Sequence, residues 1–104
     1  HHYQIEHDGN GLTCSAEPIT IKACLDANCS FLSTNSVSLD FQVTNPASAT
    51  STINSPTFIG STSFNFNHTI VEALTLSVAN ATISATDPLV CDDGSGSSCD
   101  IDFF

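Results

Sequence analysis

Short runs of alternating apolar and polar residues constrain the fold of this chain more than any other feature. The clearest run places Val37, Leu39, Phe41 and Val43 at every second position, with polar residues between them. A repeat of two residues is the period of a β-strand that buries one face. The run therefore predicts a strand whose apolar face contributes to a hydrophobic core.

Similar runs recur along the chain and are separated by turn-forming residues. They lie around 3–5, 19–25, 58–67, 74–78 and 101–103, with one or two short strands near 83–90. Residues 45–56 are polar and contain a proline near each end, which predicts a long loop or a weak edge strand. These elements, with no helical period, predict an all-β fold, an immunoglobulin-like antiparallel β-sandwich of about seven strands.

Composition limits the domain organisation and the classes of partner. A chain of 104 residues, 40% of them apolar, predicts a single domain over residues 1–104. The absence of methionine suggests a piece excised from a larger exported protein. The net charge is −10 and Lys22 is the sole Lys or Arg, which argues against nucleic-acid binding and against an anionic membrane surface. No apolar run is long enough for membrane insertion by this segment.

Five cysteines lie toward the two ends of the chain, which predicts disulfide bonds and an oxidising, extracytoplasmic compartment. The preferred scheme joins Cys24 to Cys29 and Cys91 to Cys99, each across a short loop, and leaves Cys14 over. The rival scheme pairs Cys14 with Cys91 or Cys99, because spacing alone does not define connectivity. A zinc site is the weaker alternative, since Cys24 and Cys29 have no second pair at structural-zinc spacing.

Four aspartates surround the last predicted loop: Asp92, Asp93, Asp100 and Asp102. Carboxylates at this density can hold calcium, but their spacing does not match an EF-hand. The preferred interpretation is an exposed acidic turn followed by outward-facing strand carboxylates. Calcium binding by these four residues is kept as the less favoured hypothesis.

For the other candidate sites, a structural explanation is preferred to a functional one. His2, His7 and Asp8 contain metal-binding groups, but surface groups, or a tag remnant plus one turn histidine, are the preferred explanation. The sequence shows no catalytic constellation, so we expect neither an enzyme nor a cofactor. Phe58, Phe64 and Phe66 share one parity of a predicted strand and are assigned to the core rather than to a glycan-stacking platform. His68 is assigned no role.

Both ends of the chain resemble a known family. The resemblance is carried by HYQIEHDGNGLTC at 2–14, EPITIKAC at 17–24, Cys29-Ser30, and the close from Cys91 to Cys99 followed by DIDF at 100–103. These strings resemble a domain of MshQ-like proteins, large bacterial proteins associated with the mannose-sensitive haemagglutinin type IV pilus (MSHA) system. The resemblance covers about residues 1–32 and 89–104. It implies an exported envelope or surface protein of a Gram-negative bacterium and a native His2, but brings no binding residues.

Two functions follow as expectations. The first is a non-catalytic spacer or assembly module of a pilus-associated surface protein, with neighbouring domains of the same polypeptide as partners and other surface proteins or glycans as further ones. The second is a ligand-binding module for glycan or calcium on the acidic loop 92–102. A minor pilin is a third class, but it requires a long N-terminal helix that this sequence lacks.

Overall fold

Alternating residues form β-strands from one end of the chain to the other in the computed structural model, which describes residues 1–94 and 96–104. The strands are β1 (His2–Glu6), β2 (Asn10–Gly11), β3 (Glu17–Cys24), β4 (Ser36–Ser38), β5 (Asp40–Thr44), β6 (Thr50–Asn54), β7 (Thr57–Ile59), β8 (Ser61–Phe66), β9 (Ala73–Ala79), β10 (Val90–Asp92) and β11 (Asp100–Phe103). This described part of the chain contains no helix. It accordingly has no helix of the length and hydrophobicity that would cross a bilayer.

Two main sheets face each other across the core. One has the order β10-β1-β3-β8 and the other the order β2-β11-β9-β5-β6, while β4 and β7 form a separate pair. The order β1-β3-β8 opposite β11-β9-β5-β6 is the arrangement of an immunoglobulin-like sandwich. The predicted all-β sandwich is therefore confirmed.

Two details of the predicted fold were wrong. The described residues contain eleven strands rather than about seven. The predicted strand around 37–43 is split at Leu39 into β4 and β5, and the one around 58–67 is split at Gly60, whose φ of +78° bends the chain. The sandwich is also not purely antiparallel, because β1 pairs with β10 and β2 pairs with β11 in parallel.

The apolar faces of the strands meet in one core cluster. Phe41 lies near its centre, with ring centroids 5.1 Å from Phe64 and 6.1 Å from Phe66. Phe58 and Phe66 are buried and Phe64 packs against the cluster, so the predicted core role of these three rings is confirmed. The stretch 45–56 contains β6, an edge strand with exposed side chains, which confirms the weak edge strand and not the continuous loop.

Disulfide bonds join Cys24 to Cys29 and Cys91 to Cys99, as the preferred scheme predicted. The first closes the loop that follows β3. The second links β10 of one main sheet to the residue before β11 of the other, so it connects the two layers. Cys14 is free and exposed.

The strands give the sandwich two distinct ends. At the end we call the Cys24 end, β1 begins opposite the last residue of β3, with His2 paired to Cys24. At the opposite end, the Phe104 end, β3 begins at Glu17 and β11 finishes beside β2. Strand β1 therefore enters the sandwich at one end and β11 leaves it at the other.

Candidate functional site

The acidic loop holds the four aspartates on two strands and the connection between them. Asp92 ends β10, Asp93 lies in the loop, and Asp100 and Asp102 lie on β11. Asp92, Asp100 and Asp102 are exposed, as expected for outward-facing carboxylates, and Asp93 is half-buried. The Cys91–Cys99 disulfide fixes the base of this loop.

Three of these carboxylates accept hydrogen bonds from nearby protein groups. Asp92 Oδ1 accepts from the Gly94 amide at 2.9 Å, and Asp93 Oδ1 accepts from the Gly96 amide at 2.7 Å. Asp100 Oδ1 accepts from the Thr75 hydroxyl at 3.0 Å. The residues described here contain no group of three or more His, Cys, Asp or Glu side chains arranged to hold a metal ion. Calcium binding at this loop therefore stays a prediction.

His7 fastens the acidic loop to the first strand. Its ring is buried, and Nε2 lies 2.7 Å from the Ser98 carbonyl oxygen while Nδ1 lies 3.1 Å from the Gly9 amide. Since a carbonyl accepts and an amide donates, Nε2 must carry the proton and Nδ1 must be unprotonated. Both ring nitrogens thus form hydrogen bonds within the protein, one to Ser98 and one to Gly9.

The structure does not bring His2, His7 and Asp8 together as a metal site. His2 lies at the Cys24 end, where its Nδ1 is 2.8 Å from Nδ1 of His1. Its Nε2 is buried without a hydrogen-bond partner among the described residues, beside a cavity of about 60 Å³. His68 pairs with Glu72 at 2.7 Å between Nε2 and Oε2, which gives it the partner that the sequence did not indicate.

A carboxyl pair that the sequence did not single out lies at the Phe104 end. Glu17 is 5% exposed, and its carboxyl group is hydrogen-bonded to Asp8. Burial is the largest cause that raises the pKa of Glu17, and together with the hydrogen bond and negative charge of Asp8 it brings the pKa to about 7. Oε1 of Glu17 is buried and has no partner among the described groups. Glu17 thus holds its proton to a higher pH than an exposed glutamate does.

The alternation of β3 contained a signal for this pair. Glu17 has the same parity as Ile19, Ile21 and Ala23, which are all buried. A carboxylate at the inward parity of a core strand is expected to have a displaced pKa or a specific partner. Asp8 lies in the turn after β1, so its proximity to Glu17 depends on the tertiary fold.

A cavity of about 270 Å³ lies beside the carboxyl pair. Asp8 and Glu17 line it together with Ser15 and the apolar side chains of Leu12, Pro18 and Phe104. Another cavity, of about 410 Å³, lies between Tyr3 and the segment 78–89. Burial raises the pKa of Tyr3, whose hydroxyl donates to the Ile83 carbonyl at 2.5 Å. That hydrogen bond ties the segment after β9 to the sandwich.

The outer face of the first sheet holds the chain's one basic side chain. Lys22 Nζ lies 2.9 Å from Glu6 Oε2, so this cation is already paired with an acid of the domain. On the other sheet, the Asn80 amide and the Ser55 hydroxyl donate to Asp40 and lower its pKa. The remaining acids leave the domain with a net charge of −10.

The fold and its disulfides define a class, the disulfide-clipped immunoglobulin-like modules. Within that class, the chain belongs to the family described as a domain of unknown function (DUF8613), whose model matches residues 1–84. The match ends before β10, so the Cys91–Cys99 loop lies outside it. Neither a curated protein nor a solved structure matches the chain significantly.

Proposed function

We propose that the domain is a non-catalytic spacer or assembly module of an exported bacterial surface protein, where it holds neighbouring domains in position for adhesion. The observation that carries this proposal is the polarity of the strands, because β1 enters at the Cys24 end and β11 leaves at the Phe104 end. Because the chain enters and leaves at opposite ends, the module separates the domains before and after it by about its own length.

The disulfides support the mechanical part of the proposal. Cys24–Cys29 closes the loop at one end, and Cys91–Cys99 links the two sheets beside the last strand. Such bonds are found mainly in proteins of oxidising compartments, which agrees with a place in the periplasm or on the cell surface. The association with an MSHA-type pilus rests on the sequence resemblance to MshQ-like proteins.

Domain replacement in the full-length protein tests the spacer function. Three versions are compared: the native protein, a deletion of residues 1–104, and a replacement of these residues by an unrelated immunoglobulin-like domain of equal span. A spacer predicts that deletion impairs adhesion and that the unrelated domain restores it. Loss of adhesion in the replacement, at equal surface display, would contradict the spacer function.

The alternative function is a binding module for glycan or calcium on the acidic loop. What favours it is the concentration of Asp92, Asp93, Asp100 and Asp102 around one disulfide-closed loop. A calcium titration followed by thermal unfolding separates the two functions, because a ligand that binds the folded state raises the melting temperature. An increase at millimolar calcium that is lost in Asp92→Asn/Asp100→Asn would favour binding, and a glycan array tests the sugar ligand independently.

A further inference from the structure

The cavity of about 270 Å³ at the Phe104 end contains a hydrogen-bond acceptor without a donor. Glu17 lines this cavity and is 5% exposed, and its Oε1 is buried without a hydrogen-bond partner among the described residues. A buried acceptor that lacks a donor costs stability, and a ligand that supplies the donor recovers it. The unpartnered oxygen therefore identifies the kind of group that the cavity lacks, which is a hydrogen-bond donor.

The charges around the cavity favour a donor that is a cation. Two acids, Asp8 and Glu17, and no basic side chain line the cavity. The chain's sole Lys or Arg, Lys22, is paired with Glu6 at 2.9 Å and so serves neither acid. Burial, then the hydrogen bond and charge of Asp8, raise the pKa of Glu17, because nothing nearby stabilises its ionised form. A positively charged donor would stabilise that form through a charge-assisted hydrogen bond.

The rest of the lining suits an alkyl chain. Leu12, Pro18 and Phe104 contribute apolar side chains, and Leu12 and Phe104 are 54% and 62% exposed. A ligand with its charge at buried Glu17 therefore extends toward solvent past apolar groups, and contact with them adds to binding. The volume of about 270 Å³ lies just below the roughly 300–1,000 Å³ of pockets for drug-sized ligands, so the cavity fits a group of side-chain size.

Backbone hydrogen bonds hold the walls of the cavity in place. The Phe104 amide donates to the Gly11 carbonyl, and the Phe104 carbonyl accepts from the Thr13 amide, both at 3.0 Å. Oδ1 of Asp8 accepts from the Asn10 amide at 3.2 Å, which holds this carboxyl group in the turn after β1. The cavity is therefore formed by the fold itself, before any ligand enters.

A primary ammonium group matches this lining better than a metal ion does. The part of the chain that the structure describes has no group of three or more His, Cys, Asp or Glu side chains placed to hold a metal. Calcium takes about six to eight oxygen ligands, and two carboxyl groups among apolar side chains leave most of that shell unfilled. An ammonium carries three N–H donors, enough for Oε1 of Glu17 and for the carboxyl group of Asp8.

We propose that this cavity binds a primary alkylammonium group. The ammonium contacts the carboxyl groups of Glu17 and Asp8, and the alkyl chain lies against the three apolar side chains. Rotation about the terminal torsion of Glu17, which is soft, turns Oε1 toward the entering N–H. A lysine side chain of another protein and a free amine offer the same chemistry. The site uses none of the acids of the loop 92–102 and does not depend on the spacer function.

NMR titrations of the 104-residue protein test the proposal at pH 8, above the pKa of about 7 at which Glu17 ionises. The probe is n-butylammonium chloride, and n-butanol at the same ionic strength is its uncharged match. Cys14→Ser is the background, because an exposed thiol can cross-link two chains. Glu17→Gln and Asp8→Asn each remove one charge from the cavity. Asp100→Asn is the matched control, since it removes one charge from β11 outside the cavity.

We expect butylammonium to shift the amide signals of the lining residues saturably, and butanol to cause no saturable shift. Glu17→Gln should weaken binding about 10- to 100-fold, because a charged hydrogen-bond acceptor is lost. Asp8→Asn should also weaken it, which keeps the test valid if Glu17→Gln fails to fold, and Asp100→Asn should leave the affinity unchanged. The site would be overturned by the absence of saturable shifts, by equal binding of butanol, or by an unchanged affinity in both folded cavity variants.

A second titration distinguishes the two sources of the ammonium group. Nα-acetyl-lysine methylamide carries the same four-carbon ammonium chain on a peptide backbone. Tighter binding than that of butylammonium would identify a lysine side chain of a partner protein as the ligand, and weaker binding would identify a small free amine. Either result supports the alkylammonium site, and neither bears on the spacer function, which domain replacement tests separately.

Discussion

Replacing Glu17 by glutamine tests how ionisation of this buried acid changes the stability of the fold. The substitution removes the titrating group and keeps the size of the side chain. Glu17 is 5% exposed, and burial is the largest cause that raises its pKa from 4.5 to about 7. An acid with a raised pKa binds its proton more tightly in the folded state than in the unfolded state. Its stabilising contribution is therefore present at low pH and is lost as the pH rises from about 4.5 to about 7.

The magnitude follows from the displacement of the pKa. Each pKa unit corresponds to about 1.4 kcal/mol, so the displacement of Glu17 is worth about 3 kcal/mol between its protonated and ionised limits. We expect the stability of Glu17→Gln relative to the native protein to increase by up to this amount between about pH 4.5 and about pH 8. Above the folded-state pKa the difference should level off.

Urea unfolding across this pH range, with the disulfides intact, measures the difference. Asp8→Asn is the matched control: it removes the neighbouring charge but leaves Glu17 buried, so it should reduce the pH dependence without abolishing it. Parallel stability profiles for Glu17→Gln and the native protein would contradict a raised pKa at Glu17, since they would mean that this side chain ionises in the folded protein without loss of stability.

Three further variants test the Cys91–Cys99 disulfide, the close contact at Gly11 and the core by urea unfolding. Removing the clip by Cys91→Ser/Cys99→Ser should lower the free energy of unfolding by about 2–3 kcal/mol, and an unchanged value would show that the loop needs no cross-link. Gly11→Ala should cost about 1–3 kcal/mol, because its Cβ would lie 2.5 Å from Cε1 of Phe103; a neutral result would contradict that packing. Phe41→Ala should cost about 3–5 kcal/mol, since Phe41 is 0% exposed, and a loss below about 1 kcal/mol would be inconsistent with a close-packed centre.

The fold class was predictable because alternation reports which side chains face the core. The run containing Leu39 and Phe41 has the right parity throughout, and all of its apolar members are buried. Alternation does not report hydrogen-bond partners, however. Strand β4 pairs with β7, whereas β5 pairs with β6 and β9, so the sequence shows one strand where the chain changes partners at Leu39.

The local disulfides were predictable from spacing, since short loops bring their cysteines together without help from the rest of the fold. The parallel pairing of β1 with β10 was not, because its partners lie far apart in sequence. Only one member of the Asp8–Glu17 pair could be predicted from the sequence. Parity indicated that Glu17 faces inward, but only the tertiary fold brings the turn containing Asp8 against it.

Thiol counting with peptide mapping under non-reducing conditions tests the disulfide-clipped sandwich most directly. We expect one reactive thiol per chain, at Cys14, and two cross-linked peptides, which join Cys24 to Cys29 and Cys91 to Cys99. A peptide that joins Cys14 to Cys91 or Cys99 would contradict this disulfide pairing, because it would link the segment after β2 to the last loop and replace the bond that connects the two sheets.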